Sequence, residues 1–80
     1  MEAYITQLVI ILENEIRNVI ELAKAESIEH DGITNDIMWE DYHNAKHLKH
    51  LIYEKAEKIN PVADERIQRL WEEMEEALDI

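Results

Sequence analysis

Apolar residues recur at alternating steps of four and three through three stretches of this chain, and each stretch predicts a helix. In the first, Ile5, Val9, Leu12, Ile16, Val19 and Ala23 form the seam of a helix in a left-handed bundle, over residues 3–29. A second row, Tyr4, Leu8, Ile11 and Leu22, widens the apolar arc, as suits a helix flanked by two neighbours. Ile10 lies further round still. Together with Leu8 and Ile11 it predicts a contact between subunits near the start of this helix, and hence a homo-oligomer.

In the second stretch, residues 36–59, Met38, Ala45, Leu48, Ile52, Ala56 and Ile59 fall on one side, and Glu40, His43, His47, His50 and Glu54 on the other. Gly32, the only glycine, reads as the C-terminal stop of the first helix, and Thr34 or Asp36 as the N-cap of the second. Asp36, Glu40 and Asp41 in its first turns, with Lys55 and Lys58 in its last, suit the helix dipole. In the third stretch, residues 61–79, the spacing returns in Ala63, Ile67, Leu70, Met74 and Ala77, with Trp71 and Leu78 at the flanks. Asn60 can cap this helix, and Pro61 suits its first position, where the N–H has no intrahelical partner.

Short connections join the three, so the expected fold is all-α: an up-down-up three-helix bundle forming one domain over residues 1–80. One glycine and one proline are too few turn formers for a sheet. A chain of this length buries only somewhat more than about 60% of its unfolded surface, so good packing or a second copy must complete its stability. The second joint is short enough for helix three to splay away, and dimerisation would then finish the core.

Charge changes this picture most. The formal net charge is −11, and clustered Lys and Arg, which phosphate contacts require, are missing; nucleic acid is not expected as a direct ligand. Residues 1–35 carry seven acids and two bases, residues 36–60 five and four, residues 61–80 seven and two. Glu26 and Glu29 end helix one, and Glu72, Glu73, Glu75, Glu76 and Asp79 end helix three, where carboxylates oppose the helix dipole. In an up-down-up bundle those ends meet the acidic start of helix two, adding Asp31, Asp36, Glu40 and Asp41. Such a pole maintains solubility, and it is also a surface for a basic protein partner, for instance a nucleic-acid-binding protein that it would inhibit. Trp39, on the edge of the apolar arc, is a candidate anchor for that contact or a cover for the bundle end.

The polar face of helix two adds one further chemistry. His43, His47 and His50 stand at steps of four and three, and Glu40 and Glu54 lie a turn away, a spacing that can present imidazoles and carboxylates to a zinc or iron ion. Glu40-x-x-His43 resembles the carboxylate–histidine pair of ferritin-like di-iron helices over those four residues. The resemblance implies a site formed between chains, since the pair faces away from the seam, with Glu15, Glu21 or Glu26 of a helix one as further ligands. Without metal the same stripe, with His30, would gain positive charge below about pH 6.5.

Enzymatic chemistry is not expected. The hydroxyls of Thr6, Ser27 and Thr34 belong to no nucleophile motif, one glycine cannot make a phosphate loop, and a bundle of this size offers little cleft. No cysteine is present for a disulfide or a thiolate site. The longest apolar run, Leu8 to Leu12, is five residues, and the start lacks the basic region of a secretory signal. The expectation is a soluble cytoplasmic protein with no membrane contact.

Overall fold

The seam of the first helix is where the molecule is assembled. The computed structural model describes residues 2–56 and 58–80, and side chains among them from residue 4 onward. It contains α1 (Glu2–Glu29), α2 (Gly32–Lys55) and α3 (Pro61–Leu78), with no strand among the described residues. α1 packs along both other helices, whereas no Cα of α2 comes within 8 Å of one of α3. Val9, Leu12, Ile16, Val19, Ile20 and Ala23 of α1 are buried, against Met38, Ala45 and Ile52 of α2 and Ile67, Met74 and Leu78 of α3. α1 therefore supplies half of the core, as a helix with two neighbours must. Its 28 residues rise about 42 Å, which matches the 41 Å length of a molecule only 19 by 17 Å across.

The expected bundle is present, and its seams are those the spacing predicted, with three corrections. Gly32 does not stop α1. The left-handed residue is His30 (φ 51°), whose N–H closes on the Glu26 carbonyl at 2.7 Å. Asp31 then caps α2 instead of Thr34 or Asp36: its carboxylate accepts the N–H of Ile33 at 3.1 Å and the Thr34 hydroxyl at 3.2 Å. A cap placed there satisfies an orphan donor at once, so helix two begins four residues earlier than position 36. The acids Asp36, Glu40 and Asp41 consequently lie past its first turn, and Asp31 is the carboxylate that faces the dipole.

The second correction is at the other end of α2. The helix stops at Lys55, with Ala56 extended, so Lys58 and Ile59 lie outside it and only Lys55 stands in its last turn; Glu57 falls outside the described residues. The chain must reverse before Asn60-Pro61, and the residue preceding a proline is driven out of the helical region. Ile59 packs on the core from this connection, and Asn60 caps α3 as expected, accepting the N–H of Val62 at 2.8 Å. The third is a one-residue shift: Ala77 is exposed and Leu78 buried, because the seam of α3 takes its last step from Met74 as four and not three.

Among the described residues, one charged side chain lies in the core. Glu13 is 6% exposed, on the part of α1 that faces α3. Arg66 donates to its Oε1 through Nε at 2.8 Å and sets Nη2 2.8 Å from the same oxygen as an ion pair, and the Arg17 guanidinium stands 3.8 Å from Oε2. Burying a carboxylate this deeply is tolerable only with such pairing.

Candidate functional site

Three side-chain pairs fix the helix directions. Asn18 donates to Asp41 at 2.7 Å, Arg66 reaches Glu13, and the Tyr53 hydroxyl donates to Asp64. α2 thus runs against α1 and α3 runs with it, so the C-terminal ends of α1 and α3 join the N-terminal end of α2. Residues 18–41 and 70–80, which make up this end, contain twelve acids and one base, Lys24. The other seven acids of the chain are matched by its other seven bases. The whole net charge of −11 therefore resides at one end of the bundle.

The residues expected to face a partner are all found there. Glu29, Asp36, Glu40, Glu72, Glu73, Glu76 and Asp79 are exposed, and Glu26, Asp41 and Glu75 are half-buried. Trp39 is half-buried as well and packs against the core, edge-on to Tyr42 at 5.6 Å. It is therefore partly accessible from solvent. Glu15, on the α2-facing side of α1, is held above the ordinary carboxylate value of 4.5, first by burial and then by the charge of Asp41.

The histidine stripe borders a different feature. Because the backbones of α2 and α3 stay apart, a shallow groove of about 690 Å³ opens between them. Tyr42 and Trp71 approach across it at 5.9 Å, and the Lys49 ammonium stands 4.3 Å from the centre of the Trp71 ring, a cation–π contact. The Tyr53–Asp64 bond spans it lower down, and burial with that bond pushes the Tyr53 hydroxyl up to about 12. His43, His47 and His50 line the groove and are exposed. His43 meets Tyr42 edge-on at 5.5 Å, and His50 Nε2 lies 3.4 Å from Glu54 Oε2. Among the described residues no three His, Asp or Glu side chains are grouped so as to hold a metal ion, although His50 and Glu54 of the proposed ligands meet as a pair.

Two parts of this arrangement escaped the sequence reading. Glu13 carried a signal, since it borders the seam beside Val9 and Ile20, on the side that α1 turns to α3, with Arg17 one turn on. Arg66 and the groove carried none, because both depend on how α3 is placed relative to a helix that does not follow it in sequence.

Fold and site together define a small all-α protein with one strongly acidic end. No protein-family model, curated protein or solved structure matches the chain. No helix among the described residues is long and apolar enough to cross a membrane.

Proposed function

We propose that this chain is a non-enzymatic interaction module of the cytoplasm, whose acidic end docks on a basic protein surface. What supports the reading is the segregation of charge: twelve carboxylates against a single base, Lys24, occupy one end, while the remainder of the molecule is neutral. Such a field attracts a cationic surface over a distance and orients it before contact. A protein that binds nucleic-acid phosphates has that kind of surface, and occupying it would inhibit binding. The accessible part of Trp39 supplies apolar contact area at the same end. Self-association along α1 belongs to this reading, as the exposed Ile10 and Ile11 suggest.

The test is a pull-down at low and high salt, with wild type and a variant carrying Glu72→Gln, Glu73→Gln and Glu76→Gln. Capture should fade with salt and with loss of these charges. Capture indifferent to both would overturn the reading. A second reading, zinc or iron held by Glu40, His43, His47, His50 and Glu54, has the His50–Glu54 contact in its favour. Added zinc or ferrous ion should then raise the melting temperature, and an unmoved midpoint would remove it.

A further inference from the structure

We propose that the side of the α1–α2 layer turned away from α3 is an interface with a second copy of this chain, packed antiparallel so that the two layers form a four-helix bundle. The proposal rests on the reading that the chain self-associates along α1 and is independent of any basic partner. α3 covers only one side of the layer. Arg66 meets Glu13 on that side of α1, and the row through Tyr4, Leu8, Ile11, Glu15, Asn18 and Leu22 lies half a turn away. On α2, Tyr42, Lys49 and Tyr53 border the groove, and Ile33, Ile37, Asn44, Leu48 and Leu51 lie opposite them. The Asn18–Asp41 bond shows that the two rows are neighbours.

Both rows are only partly covered within one chain. Tyr4 is 57% exposed, Ile11 53%, Ile33 70% and Ile37 44%, and Leu8, Leu22, Leu48 and Leu51 are half-buried. They fall in bands. Tyr4, Leu8, Ile11, Leu48 and Leu51 make an apolar band toward the α2–α3 connection, and Leu22, Ile33 and Ile37 make another toward the acidic end. Between the two runs a polar belt of Glu15, Asn18, Asp41 and Asn44. A surface banded in this way is complementary to itself under a twofold axis across the belt.

Size and charge both point to a second copy. A face 41 by 19 Å offers about 800 Å², which is what one partner brings to an interface of standard size. Antiparallel packing sets each acidic end beside the end that carries Lys55 and Lys58, whereas parallel packing would stack two ends of twelve carboxylates each. The polar belt would fix the register, as a buried polar layer does in coiled coils, at some cost in stability from Glu15 beside Asp41.

Sedimentation across a dilution series, with circular dichroism as a check on folding, tests the interface. Wild type should run at twice the 9.5 kDa chain mass, and Ile11→Glu and Ile37→Glu at the chain mass with helicity kept. Direction is read by cross-linking, which the absence of cysteine makes clean. Ile11→Cys mixed with Leu22→Cys should give a covalent dimer on oxidation, and Ile11→Cys mixed with Leu48→Cys should not. A monomer throughout overturns self-association and this pairing together. A dimer that links Ile11→Cys to Leu48→Cys overturns the antiparallel arrangement alone, and one indifferent to both glutamate substitutions overturns the choice of face.

Discussion

Glu13 and Glu15 stand two residues apart on α1 and have opposite surroundings. Glu13 faces α3, is 6% exposed and is held by Arg66, with Arg17 nearby. Glu15 faces α2 and is half-buried beside Asp41, and burial first, then the Asp41 charge, push its proton affinity up rather than stabilising the carboxylate. The contrast separates the two sides of the central helix. Toward α3 the structure is closed, with Ile67 and Met74 fully buried beside the ion pair. Toward α2 the inner seam is closed by Ala45 and Ile52, but the outer edge carries two carboxylates and exposed aliphatics. A charge that is paired belongs to a finished interface. One that is crowded against its like marks a surface on which the fold is not complete by itself.

The closed side can be broken most simply at Ile67, which has no exposed surface. Ile67→Ala removes buried methyl groups and leaves a cavity between α1 and α3, and is expected to cost about 3 kcal/mol in urea unfolding. A loss under about 1 kcal/mol would mean that α3 is loosely held, and the contrast with the α2 side would then collapse.

Arg66→Met comes next. It keeps much of the side chain's bulk and strands the Glu13 carboxylate among apolar groups, so the melting temperature should fall by about 10 °C. The double variant Glu13→Leu, Arg66→Met removes the buried charge along with its partner, and should recover most of that loss or exceed wild type. Equal melting temperatures for the single and double variants would show that Glu13 finds water or Arg17 instead, and that the pair does not close this side.

These two sides were unequally visible in the residues themselves. The aliphatic seams could be read because a helix buries what recurs at steps of three and four, and Ile16, Val19, Ile52 and Ile67 are all fully buried. The acidic end followed from the same reading, since short joints between helices dictate which termini share an end. The start of α2 was misplaced because a left-handed residue was assigned to the only glycine, while His30 adopts that conformation and Asp31 caps beside it. Glu13 was missed for a different reason: a periodicity argument sends every carboxylate to solvent, and what contradicts it most directly is the position of Arg66, more than fifty residues away. The groove beside the histidines depends on the separation of α2 and α3. That distance is set by Tyr42, Trp71 and Lys49 meeting across it, and spacing along one helix says nothing of it.

The smallest effect sharpens the other half of the contrast. Because the Glu15 carboxyl holds its proton to a higher pH in the folded chain than its ordinary value of 4.5, the folded state binds more protons than the unfolded one just above that value. The contribution of Glu15 to stability therefore declines as pH rises from 4.5 through the raised value, then levels off. Glu15→Gln removes the titration and keeps the shape. At pH 4 the two proteins should melt together, and at pH 7 the variant should melt about 2 °C higher, well short of the Arg66 effect because Glu15 is partly solvated and water screens Asp41. An equal or lower melting temperature at pH 7 would mean that Asn18 alone relieves the pair by its bond to Asp41, and that the α2 side of α1 is as well satisfied as the α3 side.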